Sequence, residues 1–302
     1  MKSKKYVIIG VIIIVLVVLI LFFLYLNRAK KRLNSYDSLK NTIDTRYGKL
    51  SYIDYGSGEI ILVAHGLFGG YDQAYDSVKN LSDEYRILAP SRFGYPGSDL
   101  PSESTVKDQA KAYLELINSL NIDKVFILGT SAGGSVAIRF ALEYPDRVKG
   151  VILYCSNALQ EKKPQESDIP KYNAVPKFFA NDFMMWLATP IMKNVMNMSS
   201  DTWLSIFPIS KRKEGVINDG YNANRDMDIN YDDYILESIQ VPVLALHAID
   251  DKMASYEKVK NMVERFPNGS LITFETGGHM MVGKEIEVED SLKEFISMNY
   301  VK

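Results

Sequence analysis

The chain has 302 residues, of which 47% are hydrophobic and 24% charged, a composition typical of one large globular domain with an insertion or of two domains. Its single cysteine, Cys155, excludes an intramolecular disulfide and a zinc site built from several thiolates. Residues 1–40 contain eight Lys or Arg and one acid, which leaves 27 basic and 36 acidic residues in 41–302. That acidic balance argues against nucleic-acid binding.

The first predicted element is a membrane-spanning helix over residues 6–26. These positions carry no charge and are nearly all Ile, Val, Leu or Phe. As a helix they would extend about 31 Å, which matches a hydrocarbon core of about 30 Å. No small-residue cleavage site follows, so the pattern favours an uncleaved anchor over a signal peptide.

The flanks of this span complete the prediction of a single-pass membrane protein. We expect residues 1–5 to form a short N-terminal tail, and residues 27–40 to form a basic juxtamembrane linker for anionic lipid headgroups. Because Lys and Arg lie on both sides of the span, the side of the membrane that carries the remaining domain stays open.

Residues 41–302 predict one domain in which strands alternate with helices. Apolar runs predict strands over 50–55, 60–64, 85–89, 125–128, 148–154, 241–247 and 271–274. Helical spacing predicts helices over 71–81, 102–120, 135–144, 256–265 and 287–297. This alternation indicates a mostly parallel sheet covered on both faces. Residues 156–237 interrupt it, with no clear strand and an apolar helical stretch over 178–198, and predict a helical insertion.

The most informative motif is Gly129-Thr130-Ser131-Ala132-Gly133, a G-x-S-x-G pattern between a predicted strand and a predicted helix. In that context it predicts a sharp turn that presents the Ser131 hydroxyl as a nucleophile. The Ala132 amide, at the start of the helix, is expected to stabilise an oxyanion. A second amide, that of Leu67, is expected from the glycine-rich stretch 65–70.

Three histidines and one acidic loop narrow the search for the partners of this serine. His279 follows the last predicted strand in a glycine-rich loop and is predicted to be the general base. His65 is expected to stabilise its turn, and His247 to be structural. The acid that orients the base should precede it in the chain. Asp251 is favoured, with Asp250 as the alternative.

Together these residues resemble the α/β-hydrolase superfamily, in particular its capped esterase- and lipase-like group, from about Tyr47 to the C-terminus. The resemblance implies an α/β fold with a mostly parallel eight-stranded sheet flanked by helices, the insertion serving as a helical cap. It also implies an acyl-enzyme on Ser131 without a metal or cofactor. The chain departs from the family's acid motif, because Ala248 replaces its glycine. A serine at the elbow disfavours the superfamily's dehalogenases and epoxide hydrolases, which use Asp.

The predicted substrate is a small-molecule carboxylic ester of apolar or lipid-like character. Methionines and tryptophans concentrate in the insertion and suit a pocket for acyl chains, although packing of the cap on the core is the simpler explanation. They are Met184, Met185, Trp186, Met192, Met196, Met198 and Trp203. An acyltransferase, an amidase or a carbon–carbon bond hydrolase on the same triad is the main alternative. A non-catalytic ligand-binding protein of this fold is a less favoured one.

Overall fold

A computed structural model describes residues 2–300 and contains one eight-stranded sheet. The strands lie in the order β1-β2-β4-β3-β5-β6-β7-β8, with β1 and β2 antiparallel to their neighbours and the others parallel. Their bounds are β1 Lys40–Thr45, β2 Gly48–Tyr55, β3 Ile60–Ala64, β4 Arg86–Pro90, β5 Val125–Thr130, β6 Val148–Tyr154, β7 Val243–Ala248 and β8 Gly269–Phe274. The predicted mostly parallel α/β sheet is therefore confirmed.

Helices cover both faces of this sheet and form the insertion between β6 and β7. The helices outside the insertion are α1 Lys2–Asn34, α2 Tyr71–Asp76, α3 Val106–Ser119, α4 Gly133–Glu143, α9 Tyr256–Val263 and α10 Glu285–Met298. Those inside it are α5 Asp182–Val195, α6 Ser200–Ser205, α7 Lys213–Tyr221 and α8 Asp226–Ile229. The interruption predicted over 156–237 is thus a helical cap without a strand in its described residues.

The core consists of two apolar layers, one on each face of the sheet. Successive strand residues point to opposite faces, so Ile61 belongs to one layer and Leu62 to the other. Helices α3, α4 and α9 pack on the Leu62 side, and α2 and α10 on the Ile61 side. Since both faces are buried, the central strands are continuous apolar runs, which is why the sequence pattern revealed them.

The end of α2 and the start of α3 are among the helix boundaries that differ from the sequence prediction. The helix predicted over 71–81 ends at Asp76, and a separate 3-10 turn follows at Lys79–Leu81. Helix α3 begins at Val106 and not at residue 102, because Thr105 caps it. The Thr105 hydroxyl accepts from the Asp108 amide at 3.0 Å, and the Asp108 carboxylate accepts from the Thr105 amide at 3.1 Å.

Helix α1 is long and apolar enough over Lys4–Asn34 to cross a membrane. Over residues 4–20 most of its side chains are exposed, but from Phe22 onward one face packs on the protein. The Phe22 ring lies 5.2 Å from that of Phe183 and 5.5 Å from that of Trp186, both in the cap. Ala29 and Leu33 are buried further along the same face. Residues 27–34, predicted as part of a linker, therefore continue the helix.

A buried group of charges joins the end of α1 to the core and the cap. Arg32 donates to Asp72 at 2.7 Å and also to Asp76, both in α2. Arg212, just before α7, donates to the same Asp72 at 2.8 Å and to the Gly69 carbonyl. Burial alone would raise the pKa of Asp72, but Arg212 and Arg32 hold it below its usual value. Arg32 therefore binds the protein's own carboxylates, whereas Lys30 and Lys31 stay exposed.

Candidate active site

Ser131 lies on a tight turn between β5 and α4, at the carboxyl edge of the parallel strands. Its backbone φ is 52°, a left-handed conformation that is strained for a non-glycine residue. The two flanking glycines are required by close packing. A Cβ at Gly133 would lie 2.0 Å from the Ala64 carbonyl oxygen, and one at Gly129 would lie 2.7 Å from the Gly133 oxygen. The predicted strand, turn and helix are all present.

The structure brings three of the predicted side chains into one hydrogen-bonded chain. His279 Nε2 lies 2.9 Å from Ser131 Oγ, and His279 Nδ1 lies 2.8 Å from Asp251 Oδ2. His279 and Asp251 are buried. Because an ionised carboxylate can only accept, Nδ1 carries the proton, and Nε2 is free to accept from the Ser131 hydroxyl.

Four contacts hold Asp251 as the anion in this chain. Its Oδ1 accepts from the Met253 amide at 2.7 Å and from the Ala254 amide at 3.1 Å. His247 Nε2 lies 3.3 Å from its Oδ2, beside the acid loop as expected. Burial alone would raise the pKa of Asp251, but the hydrogen bonds from His247, His279 and Ala254 hold it well below its usual value.

Asp250 has a different set of partners from its neighbour. Its Oδ1 accepts from the Gly278 amide at 2.8 Å and its Oδ2 from the Gly277 amide at 3.4 Å, so it fixes the loop that carries His279. Tyr154, which the sequence analysis missed, donates its hydroxyl to the Met280 carbonyl at 2.8 Å on the same loop. Its position at the end of a predicted parallel strand, and so at the same edge of the sheet as Ser131, was the available signal.

The two predicted oxyanion donors lie beside the serine. Leu67 and Ala132 border the same cavity as Ser131, and neither amide has an acceptor among residues 2–300. A methyl group at Gly66 would approach Ser131 Cβ to 3.1 Å, so this loop lies directly against the serine. Two unpaired N–H groups near one hydroxyl can bind an oxygen that gains negative charge.

His65 supports the oxyanion loop and does not reach the serine. Its Nε2 accepts from the Arg92 amide at 2.9 Å, so its Nδ1 is the protonated nitrogen and donates to the Gly66 carbonyl at 2.8 Å. Burial and then the nearby Arg92 charge lower the pKa of His65 well below its usual value, which keeps the ring neutral. This agrees with the turn-stabilising role expected for it.

A buried ion pair that the sequence analysis did not identify ties the cap to this loop. Arg92 forms a two-pronged pair with Asp219 of α7, at 2.8 and 2.6 Å, and donates to the Gly66 carbonyl at 3.1 Å. The two partners are 127 positions apart, so no local pattern in the sequence could reveal them.

Ser131 and His279 open into a cavity of about 390 Å³ between core and cap. Five of the side chains singled out in the insertion line it, namely Met185, Met192, Met196, Met198 and Trp203. Met184 and Trp186 do not. A more polar cleft of about 570 Å³ adjoins the cavity and shares with it Asn157, Asn173, Asn224, Met253 and Ala254. Within residues 2–300, no group of three or more His, Cys, Asp or Glu is placed to hold a metal ion.

Comparison with known proteins assigns this fold. The model of the alpha/beta hydrolase fold family matches residues 59–285, so the chain belongs to that family. An uncharacterised hydrolase of Bacillus subtilis, YcgS, is 22% identical over 267 residues, which cover 81% of this chain and 93% of YcgS. Haloalkane dehalogenase 2 of Mycobacterium tuberculosis is 31% identical over 112 residues, 36% of this chain and 39% of the dehalogenase.

A solved structure shows the same architecture along most of the chain. An esterase from Thermogutta terrifontis is similar with a TM-score of 0.70 and 20% identity, over 87% of this chain and 99% of the esterase. At that identity the likeness concerns the fold. Family and fold together make this protein a hydrolase of the α/β-hydrolase family.

Proposed function

We propose that this hydrolase is a membrane-anchored serine esterase in which Ser131 is the nucleophile, His279 the general base and Asp251 the residue that orients the base. The observation that carries the proposal is the continuous chain of hydrogen bonds at 2.9 and 2.8 Å, with its serine at the wall of an apolar cavity. The serine at the elbow distinguishes this chain from the superfamily's dehalogenases, which use Asp there.

The geometry supports a two-step reaction. Ser131 Oγ attacks the ester carbonyl while its proton passes to His279 Nε2, and the Leu67 and Ala132 amides stabilise the tetrahedral oxyanion. His279 then gives the proton to the departing alcohol, and an acyl-enzyme remains. Water attacks this ester with His279 again as base, which releases the acid and restores the serine. Ionised Asp251 stabilises the imidazolium formed in each step.

The lining of the two spaces favours an ester with one apolar and one polar part. The methionine side chains and Trp203 suit a flexible acyl chain, since thioethers adapt to different shapes. The adjoining cleft, bordered by Asn157 and Lys252, suits a polar alcohol group. Helix α1 would hold this site at a membrane as a single-pass anchor.

Hydrolysis of a series of p-nitrophenyl esters by the full chain in detergent tests the proposal. We expect kcat/KM to rise from acetate to medium-chain esters by about tenfold or more, because each buried methylene contributes ~0.8 kcal/mol. In Ser131→Ala, kcat/KM should fall at least about a thousandfold. Ser119→Ala, an exposed serine at the end of α3, is the matched control and should retain full activity. A wild-type rate no higher than that of Ser131→Ala for every ester would contradict the proposal.

A further inference from the structure

Helix α5 of the cap carries apolar side chains on three different faces. Met185 and Met192 point into the cavity. Met184, Leu187 and Ile191 follow the spacing i, i+3 and i+7 on another face and form what we call the outer stripe, where Leu187 is 55% and Ile191 70% exposed. The outer face of a cap helix is normally polar, and a contiguous exposed apolar surface marks a binding surface.

The position of α1 relates this stripe to the predicted membrane span. Phe183 and Trp186, on a third side of α5, contact Phe22 of α1. Phe22 lies within the apolar span 6–26, four residues before its end at Leu26. At a rise of 1.5 Å per residue, this contact is about 6 Å inside the end of the span. Helices that lie in a membrane surface bury their apolar face to a similar depth, ~5–10 Å.

Charge along α1 agrees with this depth. Directly after the span, Arg28, Lys30 and Lys31 are exposed at the level where lipid headgroups would lie. The outer stripe itself contains no charged residue. Because Trp186 directly precedes Leu187, this part of the stripe is level with the end of the hydrocarbon span. The exposed basic side chains begin at Arg28, two residues beyond Leu26.

We propose that the outer stripe of α5 is embedded in the surface of the bilayer that α1 spans, so that the cap borders the lipid directly. This inference rests on the membrane-spanning role proposed for α1. Because one helix carries the stripe and the cavity-lining methionines, the cavity lies only about one helix diameter, ~10 Å, from lipid. An amphipathic ester could then pass from the leaflet into the site without crossing water.

Lipid-borne quenchers of fluorescence test the location of the stripe without any need for activity. The full chain is reconstituted into vesicles of phosphatidylcholine and phosphatidylglycerol that carry spin-labelled acyl chains. Single variants Leu187→Cys and Ile191→Cys are labelled with an environment-sensitive dye. Native Cys155 should stay unlabelled in the folded protein, because burial and then the Asp251 charge raise its pKa and no solvent reaches it.

The control is Met298→Cys, since Met298 is 69% exposed, like Ile191. It lies at the end of α10, near the amino ends of the parallel strands, whereas the active site is at their carboxyl ends. We expect the dye at 187 and at 191 to be quenched several-fold more strongly than the dye at 298. Equal, weak quenching at all three positions would overturn the proposal, whether or not the protein is an esterase.

A second experiment tests the consequence for substrate entry. In the double variant Leu187→Glu, Ile191→Glu, hydrolysis of a long-chain ester embedded in vesicles should fall about tenfold, whereas hydrolysis of a soluble short-chain ester should change less than about twofold. Met298→Glu should change neither rate. Unchanged hydrolysis of the embedded ester by the double variant would overturn this route. If the wild type hydrolyses neither ester, the esterase proposal is contradicted. The quenching result then decides whether the outer stripe lies in the bilayer surface.

Discussion

The adjacent acids Asp250 and Asp251 hold different parts of the site. Asp251 binds the imidazole of His279, whereas Asp250 binds the backbone of the loop that carries it. Both follow β7 on one loop, so the sequence alone could favour one but could not separate them. The choice between the two acids depends on contacts with residues that lie 27 or 28 positions further along the chain. Ser131 and His279 were easier to predict, because a glycine motif marks each of them.

Exchanging each of these acids for its amide separates their roles. Asp251→Asn should lower kcat by about 10⁴-fold, because the amide favours the wrong imidazole tautomer and cannot stabilise the imidazolium. Asp250→Asn should cost about tenfold or less, since an amide oxygen can still accept from Gly278. Ester hydrolysis by the two purified variants measures this difference, and the reverse order would assign the orienting role to Asp250.

The lowered pKa of Asp251 also predicts how stability depends on pH. The carboxyl titrates at its ordinary value of 3.8 when unfolded and lower when folded, so the folded state binds fewer protons. Its stabilising contribution is therefore present above about pH 4 and is lost as the pH falls toward the folded pKa. Urea unfolding at a series of pH values measures the free energy of unfolding. Below about pH 4 it should fall less steeply in Asp251→Asn than in the wild type. Parallel curves would contradict this expectation.

Strand β1 shows where sequence patterns fail to reveal an element. Its sequence, Lys-Asn-Thr-Ile-Asp-Thr, has no apolar run, and its residues are mostly exposed at the edge of the sheet. It is held by pairing with β2, which no local periodicity encodes. The buried strands β3, β5 and β6, in contrast, are apolar on both faces and were predicted within two residues.

Helix α1 is an element of the folded domain as well as a candidate anchor, and Arg32 provides the test. Arg32→Ala removes a largely buried partner of Asp72 and Asp76 and should destabilise the protein by about 1–3 kcal/mol. Arg28→Ala is the matched control. Its pair with Asp201 spans 4.0 Å with side chains 72% and 93% exposed, so we expect almost no change. Thermal unfolding in detergent gives the midpoint of each variant. Equal midpoints would show that the pairs of Arg32 with Asp72 and Asp76 do not join α1 to the core.

The packing of α1 on the rest of the protein divides this helix into a projecting half and a docked half. Removal of residues 1–21 should leave the midpoint of unfolding nearly unchanged, because Phe22, Ala29 and Leu33 keep their contacts. Removal of residues 1–34 uncovers the apolar surface around Phe207 and should lower the midpoint by about 5–10 °C. Circular dichroism during heating compares the two. Equal midpoints for both truncations would contradict a structural role for the docked half.

The overall architecture followed from the sequence because a strand–helix rhythm and a helical insertion are properties of long segments. What could not be predicted are the contacts between distant segments. The Arg92–Asp219 pair joins core and cap, and Phe22 with Phe183 joins α1 and cap. These pairs determine how the cap lies over Ser131, and with it the shape of the cavity.

Covalent labelling shows whether Ser131 is an activated nucleophile. Full-length protein in detergent is treated with a fluorophosphonate, which reacts with serines activated by a neighbouring base, and the modified peptide is identified by mass spectrometry. We predict a single adduct on Ser131, which Ser131→Ala abolishes and His279→Ala slows by several orders of magnitude. Absence of labelling in the folded wild type, or equal labelling of Ser131→Ala, would show that Ser131 is not the nucleophile.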